Sequence, residues 1–303
     1  MQRPFALVTS SVDRPAPGAV VELLKPITWF APMWAFGCGL VSGGLSLPHQ
    51  TGLALGGVIL AGPLLCGASQ AVNDWFDRHV DAINEPDRPI PSGRIPGRWG
   101  LGIAIVTTAL ALTVAAGFGP WVLLPAALGC ILAWAYSAPP LRLKANGWFG
   151  NAAVALSYEG LAWLAGAAVV AGTRPDGRIL TLALLYSLGA HGIMTLNDFK
   201  AVEGDSRMGI RSLPVQLGVK AAARVACAVM LIPQIAIVAL LAAWGRPVTA
   251  LAIAALTLVQ VALMPRLLGD PKKQAPWYNA SGTSLYVLGM MVSAVAVRSL
   301  VVG

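Results

Sequence analysis

Apolar stretches long enough to cross a bilayer alternate with short polar segments along almost the whole chain. Nine such runs occur, each close to the ~20 residues that a transmembrane helix needs. They lie at about 27–46, 51–73, 100–118, 120–137, 149–171, 179–197, 220–243, 247–267 and 281–301. The pattern predicts an all-α, polytopic membrane protein in which a short tail, 1–26, precedes a single nine-helix domain, 27–303.

The composition supports a membrane protein. Of the 303 residues, 56% are hydrophobic and 11% are charged, with a mean hydropathy of +0.70, whereas soluble domains average about 25% charged residues. The net charge of +8 could indicate a nucleic-acid partner, but cations that flank membrane helices explain it better, so no nucleic acid is expected. All four cysteines lie in apolar runs, which indicates neither disulfides nor a cysteine metal site.

Positive charge predicts the orientation of the helices. The segments after the second, fourth, sixth and eighth runs are long or charged, and those between them are short. Of the 21 lysines and arginines, only Arg174, Arg178, Arg246 and Arg298 lie on the side opposite the N-terminus. The positive-inside rule therefore places the N-terminus in the cytoplasm, together with two acidic segments, 73–99 and 197–219.

The first acidic segment begins where the second apolar run ends. Asp74, Asp77 and Asp81 follow i, i+3, i+7 spacing, which places them on one face of a helix. Stacked carboxylates repel one another unless cations lie between them, and Mg²⁺ is the natural candidate because it binds carboxylate oxygens and substrate phosphates. The alternative is a solvated acidic loop, which does not explain why the stripe continues directly from an apolar span.

A second acidic segment repeats part of this pattern. Asn197-Asp198-Phe199 resembles Asn73-Asp74-Trp75, four spans earlier, and Asp205 shares a face with Asp198 if the helix persists. The echo suggests a duplicated four-helix unit that brings two acidic helix ends face to face, although three matching positions are also compatible with chance. Two facing stripes with basic residues nearby describe a site for a metal-bridged polyanion, and a diphosphate fits best.

Basic residues follow the fourth apolar run in the segment YSAPPLRLK, 136–144. Arg142 and Lys144 can be interpreted as diphosphate contacts or as ordinary flanking cations. Tyr136, Ser137 and the Pro-Pro step that shapes the loop favour the functional interpretation. Arg88 belongs to a segment, NEPDRPIPSG, that we expect to fold back over the acidic stripe, where it would contact phosphate.

These motifs together resemble the UbiA superfamily of intramembrane prenyltransferases. The resemblance rests on NDxxDxxxD, on YSxxPxRxK and on a second acidic motif some 120 residues after the first. Within the superfamily, NDWFDRHVDAINEPDRPIPSG, LSYEGLAW and NDFKAVEGD are similar to the chlorophyll and bacteriochlorophyll synthase branch. The superfamily pattern would place an aspartate at Ala201, and that branch departs from it in the same way.

The resemblance implies esterification of the propionate of a (bacterio)chlorophyllide by geranylgeranyl or phytyl diphosphate. It implies Mg²⁺, for which Mn²⁺ could substitute, held by Asp74, Asp77, Asp81, Asp198 and Asp205. Arg142 and Lys144 would complete the catalytic set. The substrate-binding residues would be Asn73, Arg88, Tyr136, Ser137, Glu159, His191, Asn197 and Lys200. The acceptor carboxylate, with a pKa of about 4–5, is already ionised at pH 7, so no general base is required.

Two polar residues inside the spans have competing interpretations. Glu159 is costly at membrane depth, so it is a candidate for hydrogen bonding to the tetrapyrrole or, when protonated, to a neighbouring helix. His191 could ligate the central Mg²⁺ of a chlorophyllide, but an interhelical hydrogen bond is the commoner role for such a histidine. The tryptophans are better explained by the membrane interface and by packing than by a macrocycle cage.

The expected partners are a prenyl diphosphate, a (bacterio)chlorophyllide, the lipid bilayer and other pigment-biosynthesis or pigment-binding membrane proteins. The expected location is the bacterial inner or intracytoplasmic photosynthetic membrane, with the site on the cytoplasmic side. Two alternatives are a prenyltransferase with another acceptor, such as an aromatic acid, a quinone precursor or haem, and a transporter. A transporter should place its charges near the midplane, whereas these acids gather at one surface.

Overall fold

A computed structural model describes residues 14–301, and most of them are helical. The predicted all-α fold is confirmed there, since the described residues contain only an isolated β-bridge, between Asn146 and Arg211. The α-helices are α1 (Pro17–Leu23), α2 (Phe30–Ser42), α3 (Thr51–Ile59), α4 (Gly67–Asn84), α5 (Trp99–Phe118), α6 (Pro120–Ser137), α7 (Gly147–Ala155), α8 (Ala162–Ala171), α9 (Gly177–Asp198), α10 (Val202–Arg207), α11 (Leu213–Leu217), α12 (Val219–Ala243), α13 (Pro247–Gly269), α14 (Pro271–Ala280) and α15 (Gly282–Val301).

Eight helical stretches within residues 14–301 are long and apolar enough to cross a membrane. They correspond to the second to ninth predicted runs. The first run contains α2, which has 13 residues and is about 20 Å long, shorter than a hydrocarbon core of about 30 Å. The count of nine spans therefore stays a prediction.

The structure describes the second half of the predicted N-terminal tail. Of the predicted tail, residues 1–13 lie outside the described part of the chain. The remainder contains α1, which begins at Pro17 and ends at the fully buried Leu23. Leu23 packs with Ala71 and Val72 of α4. This contact holds the start of the chain against the helix that bears the first acidic stripe.

Two transmembrane stretches contain a π-helical segment. The first, Leu60–Cys66, joins α3 to α4, and the second, Leu156–Leu161, joins α7 to α8. The first contains Pro63, which has no N–H to donate and therefore cannot continue the regular hydrogen-bond ladder. Such segments insert an extra residue into the turn and re-aim the neighbouring side chains, which is why they recur at functional sites.

Small residues let α2 and α8 approach closely. A Cβ on Gly39 would lie 2.1 Å from the Trp163 carbonyl oxygen, and a Cβ on Gly43 would lie 2.9 Å from that of Ala167. A Cβ on Gly37 of the same helix would have nothing within 4 Å, so Gly37 does not belong to this packing face. Positions four apart share a helix face, whereas positions two apart do not.

Aromatic side chains form the centre of the bundle. The rings of Trp163 and Tyr186 stack with centroids 5.6 Å apart, and Tyr286 meets Tyr186 edge-on at 5.3 Å. The indole of Trp163 donates to Ser42 Oγ at 3.0 Å, and Tyr186 OH pairs with Ser293 Oγ at 2.8 Å. Each buried polar tip therefore has a partner, as a lipid-embedded core requires. Packing is thus the role of Trp163.

Candidate active site

One face of α4 presents three carboxylates near its C-terminus, at what we call the acidic end of the bundle. Asp74, Asp77 and Asp81 all lie on this helix, so the predicted helical stripe is confirmed. Asp74 is 1% exposed and Asp81 is 6% exposed, whereas Asp77 is half-buried. Buried carboxylates at this spacing require compensating positive charge.

Two of the compensating cations were predicted to be at the site. Arg88 Nη1 lies 2.8 Å from Asp81 Oδ2 and 3.3 Å from Asp74 Oδ1, so one guanidinium bridges two acids. Lys144 Nζ lies 2.5 Å from Asp77 Oδ1. The segment that follows α4 therefore folds back over the stripe as expected, and both side chains contact carboxylates in this structure.

Burial and the surrounding acids act in opposite directions on these cations. Burial disfavours the charge of Arg88, but Asp74, Glu85 and Asp81 together outweigh it and raise the pKa of the guanidinium. For Lys144, burial dominates over the attraction of Asp77 and lowers the pKa of the ammonium. Arg88 is therefore the more firmly charged of the two groups.

The sequence analysis missed the third cation, Lys25. Its Nζ lies 2.6 Å from Asp74 Oδ1. Lys25 has a left-handed backbone, with φ of 47°, a conformation that costs a non-glycine residue of the order of 1 kcal/mol. The buried Leu23 on one side and Pro26 on the other constrain it there. A lysine directly before a proline at the start of an apolar run, on the same side as the acids, was the available signal.

Polar residues on neighbouring elements complete this half of the site. Asn73 Nδ2 donates to Asp77 Oδ2 at 3.1 Å and to Ser137 Oγ at 3.2 Å. The Lys144 ammonium lies 6.0 Å from the centroid of the Tyr136 ring. Asn73, Tyr136, Ser137 and Lys144 therefore come together as predicted. Arg142, by contrast, is exposed and makes no ion pair with a carboxylate of residues 14–301.

The two acids of the second acidic segment lie on two separate helices. Helix α9 ends at Asp198, and Asp205 belongs to the separate short helix α10. The helix does not persist through both acids, so the condition under which they would share a face is not met. Asn151 Nδ2 donates to Asp198 Oδ2 at 3.0 Å and to Thr195 Oγ1 at 3.3 Å. Asn151, an amide inside an apolar span, was missed, although its position alone was a functional signal.

Three segments, 85–98, 138–146 and 199–212, meet over this end of the bundle, and we call them the cap. The Gly147 amide donates to the Arg211 carbonyl at 2.8 Å, and the Arg211 amide donates to the Ala145 carbonyl at 2.9 Å. Asn84 Nδ2 lies 3.9 Å from Met208 Sδ. Lys144 and Asp205 therefore belong to segments that are joined to one another, and burial raises the pKa of Asp205.

The ion pairs of Lys25, Arg88 and Lys144 with Asp74, Asp77 and Asp81 form what we call the ion-pair cluster. Four predicted substrate contacts lie away from it. Lys200 and Asn197 are exposed, and Asn197 Oδ1 accepts from Asn279. Glu159 is buried, with one oxygen that has no hydrogen-bond partner. His191 Nε2 lies 3.2 Å from the Trp148 carbonyl oxygen, which matches the interhelical alternative.

A cavity of about 310 Å³ opens at the acidic end and extends into the bundle. Its mouth is polar and its depth is apolar. The mouth residues are Asn73, Tyr136, Asn151, Asn197 and Asp198. The deeper wall contains Phe36, Leu60, Pro125, Ala126, Leu161 and Ala165. Asn73 of α4 and Asp198 of α9 therefore line the same opening, and Asn73 connects it to Asp77 by a hydrogen bond. The duplicated unit that the echo suggested stays a prediction.

A small polar group interrupts the apolar wall below the mouth. Gln70 Nε2 donates to Tyr158 OH at 2.9 Å, and the Cys66 thiol lies 3.3 Å from the same hydroxyl. All three line the cavity. The first π-helical segment ends at Cys66 and the second contains Tyr158. The two segments therefore bring these side chains together.

The donor chemistry at the mouth suits a hard divalent cation. Carboxylate oxygens are the ligands that Mg²⁺ prefers, and Asp74 Oδ2 is buried with no hydrogen-bond partner. Across residues 14–301, however, no three acidic, histidine or cysteine side chains converge as a ready ligand set. In this structure the α4 carboxylates instead contact lysine and arginine.

The fold and site together define a class: a helical membrane protein with paired acids and cations beside the mouth of an apolar cavity. The model of the UbiA prenyltransferase family matches residues 29–291. The chain belongs to this family and is an integral membrane prenyltransferase.

The chain is similar in sequence to several named proteins. It is 57% identical to the bacteriochlorophyll synthase 33 kDa chain of Cereibacter sphaeroides, over 94% of this chain and 95% of that one. It is 51% identical to the protein of the same name from Rhodobacter capsulatus, over 95% and 96% of the two chains. It is 40% identical to the chloroplastic chlorophyll synthase of Oryza sativa subsp. japonica, over 91% of this chain and 76% of that one.

Solved structures agree on the fold. A structure concerning digeranylgeranylglyceryl phosphate synthase matches with a TM-score of 0.74 and 21% identity, over 92% of this chain and 98% of the other. A UbiA homologue from Archaeoglobus fulgidus bound to GPP and Mg²⁺ matches with a TM-score of 0.73 and 22% identity, over 93% and 99% of the chains.

Proposed function

We propose that this chain transfers a geranylgeranyl or phytyl group from its diphosphate to the propionate carboxylate of a (bacterio)chlorophyllide. The observation that carries the proposal is the position of the ion-pair cluster beside the mouth of an apolar cavity, where Asn73 lines the opening and donates to Asp77. A prenyl diphosphate has a strongly anionic head and an apolar tail, and the two parts of the site match them. High identity to bacteriochlorophyll synthases supports the acceptor.

The basic side chains provide the leaving-group chemistry. When the bond between the allylic carbon and the diphosphate oxygen breaks, its electron pair leaves with the diphosphate. Lys25, Arg88 and Lys144, which contact the α4 carboxylates in this structure, would stabilise that growing charge, because fixed cations beside a leaving diphosphate favour the transition state over the bound substrate. Asn73 and Tyr136 would hold the head group at the mouth.

The acidic residues would hold the metal. We assign Mg²⁺, with Mn²⁺ as a possible substitute, to Asp74, Asp77 and Asp81 on one side of the mouth. Asp198 and Asp205 would hold it on the other side. A bound divalent ion would neutralise part of the diphosphate charge.

The acceptor needs no deprotonation. Its propionate, with a pKa of about 4–5, is ionised at neutral pH. One carboxylate oxygen forms the new bond to the allylic carbon as the diphosphate leaves. The apolar wall below the mouth keeps water from capturing the allylic cation instead.

The charge distribution supports a cytoplasmic position for this site, in a bacterial inner or intracytoplasmic photosynthetic membrane. A protein that esterifies a membrane-bound pigment would also meet other pigment-biosynthesis or pigment-binding membrane proteins.

The test uses membranes that contain the expressed protein, incubated with bacteriochlorophyllide, geranylgeranyl diphosphate and Mg²⁺. We expect an esterified pigment that EDTA abolishes. Asp74→Ala and Asp198→Ala should each abolish turnover while the protein still accumulates in the membrane, because both acids belong to the assigned metal site. Activity retained in either variant would contradict the metal assignment. Prenylation of 4-hydroxybenzoate without pigment esterification would instead assign a different acceptor.

A further inference from the structure

The carboxylate stripe on α4 continues below the acids as a neutral polar side chain. Gln70 precedes Asp74 by four positions and Asp77 by seven, so it lies on the same face of α4. It is about 6 Å further towards the membrane interior than Asp74, at about 1.5 Å per helical residue. Gln70 is half-buried and lines the active-site cavity. The stripe therefore changes from charged to uncharged on passing from the ion-pair cluster into the cavity.

Hydrogen bonds fix the orientation of the Gln70 amide. Its Nε2 donates to the Tyr158 hydroxyl at 2.9 Å, and the same hydroxyl lies 3.3 Å from the Cys66 thiol. That thiol lies 3.4 Å from Thr28 Oγ1, so three separate parts of the chain anchor the group. Within residues 14–301, by contrast, no group donates a hydrogen bond to Gln70 Oε1. The amide therefore provides a carbonyl oxygen in the cavity wall that is not used for packing the helices.

The position of Gln70 matches the position of the reacting carbon. The diphosphate head group is assigned to the acids and cations beside the mouth, and the apolar tail extends into the cavity. The allylic carbon, which is bonded to a diphosphate oxygen, joins these two parts of the substrate. It must therefore lie just below the assigned metal site, at the level where Gln70 and Tyr158 line the wall.

We propose that the Gln70 carbonyl oxygen stabilises the allylic cation during prenyl transfer, and that Tyr158 holds the amide in position. This inference rests on the proposed function and adds a catalytic residue to it. As the carbon–oxygen bond breaks, its electron pair leaves with the diphosphate, and positive charge develops on the allylic carbons. A fixed dipole whose negative end faces that charge favours the transition state over the bound substrate. Gln70 neither gains nor loses a proton, and an oxygen of the acceptor carboxylate forms the new bond.

An amide suits this position better than a carboxylate does. The acceptor is itself a carboxylate, so an aspartate or glutamate at position 70 would compete with it for the allylic cation. An amide oxygen has only a partial negative charge and is a weaker nucleophile. The Tyr158 hydroxyl is a second nucleophile in the wall, and the hydrogen bond that it accepts from Gln70 occupies one of its lone pairs. The pair therefore provides a negative potential without a group that the cation readily alkylates.

The experiment compares the binding of two ligands that differ in charge at the reacting carbon. One is an ammonium analogue of the geranylgeranyl cation, bound together with inorganic pyrophosphate. The other is the unreactive thiolodiphosphate of geranylgeraniol. Gln70→Met keeps the length of the side chain and removes the carbonyl. It should raise the Kd of the ammonium analogue about tenfold or more and leave the Kd of the thiolodiphosphate within about twofold, because only the first ligand has the charge that the carbonyl stabilises.

Two further variants complete the test. Ser157→Ala is the matched control, since Ser157 lines the same cavity and belongs to the same π-helical segment as Tyr158. It should leave both Kd values unchanged. Tyr158→Phe keeps the ring but removes the hydroxyl that orients the amide. It should raise the Kd of the ammonium analogue by a smaller factor than Gln70→Met does, and it provides the answer if Gln70→Met does not fold.

The outcomes separate a catalytic role from a structural one. A side chain that only packs α4 against the second π-helical segment would affect both ligands equally. Equal weakening of both ligands, or an unchanged Kd of the ammonium analogue in Gln70→Met and Tyr158→Phe, would therefore overturn the role of Gln70. If the unmodified protein binds neither ligand, the proposed function fails instead.

Discussion

Lys144 shows how one residue can be both buried and charged at a functional site. Its side chain is 11% exposed and contacts Asp77 at 2.5 Å. Burial lowers the pKa of Lys144 below the ordinary 10.5, and the attraction of Asp77 offsets this only in part. The protonated form is the one that can bind a carboxylate or a phosphate. Because its pKa is lowered, the Lys144 ammonium loses its charge at a lower pH than an ordinary lysine does.

The activity should accordingly decline on the alkaline side at a pH below 10.5. Lys144→Arg is the matched variant because a guanidinium remains charged throughout this range. We expect it to move the alkaline decline to higher pH, even if the maximal rate is lower. The measurement is the pH profile of kcat/KM in both proteins, and an identical alkaline decline would exclude Lys144 as its source.

At the scale of elements, the close approach of α2 and α8 positions one wall of the cavity. Gly39 lies against the backbone at Trp163, and Gly166 lies against the Phe36 carbonyl, where a Cβ would be 2.1 Å away. Phe36 itself lines the cavity. Because backbone atoms cannot move aside as a flexible side chain can, neither glycine can be enlarged without separating the helices.

Gly39→Ala should therefore destabilise the protein by about 1–3 kcal/mol, the usual cost of overpacking. Gly37→Ala, on the same helix, should be neutral or stabilising by up to about 1 kcal/mol, since alanine is the better helix former. The measurement is thermal unfolding of both variants in detergent, relative to the unmodified protein. Equal effects would show that the α2–α8 contact does not depend on this glycine.

At the scale of the whole molecule, three of the arginines opposite the acidic end have structural partners. Arg178 and Arg246 donate to the carbonyls of Leu300 and Ser299, near the end of α15, and Arg298 donates to the carbonyl of Leu45. Cations near a helix C-terminus pair with its free carbonyls. Hydrogen bonds to backbone carbonyls therefore account for three of the four cations that lie opposite the N-terminus, which are exceptions to the positive-inside rule.

Single cysteines introduced at opposite ends test that orientation. Arg174 and Lys200 are both exposed, and the four natural cysteines are buried. With a membrane-impermeant thiol reagent on intact cells, Arg174→Cys should be labelled at once, whereas Lys200→Cys should react only after the membrane is opened. The reverse pattern would place the site on the non-cytoplasmic side.

Much of the molecule follows from local properties of the chain. The stripe of carboxylates on α4 follows from helical spacing alone. Apolar runs of membrane length form helices because lipid offers the backbone no hydrogen-bond partners, so the backbone groups must pair within the chain. The end of α9 at Asp198 was not evident from the sequence, because Phe199, Lys200 and Ala201 are all compatible with a helix. Packing of the cap, including the bridge at Arg211, decides that the chain turns there.

The sequence by itself therefore determined the membrane class, the helical framework and the carboxylates at the mouth, because hydropathy and periodicity are properties of neighbouring residues. Only the tertiary structure decided which cation meets which acid. Lys25 is 49 positions from Asp74, and Asn151 is 47 positions from Asp198. Contacts between such distant positions depend on how the helices pack.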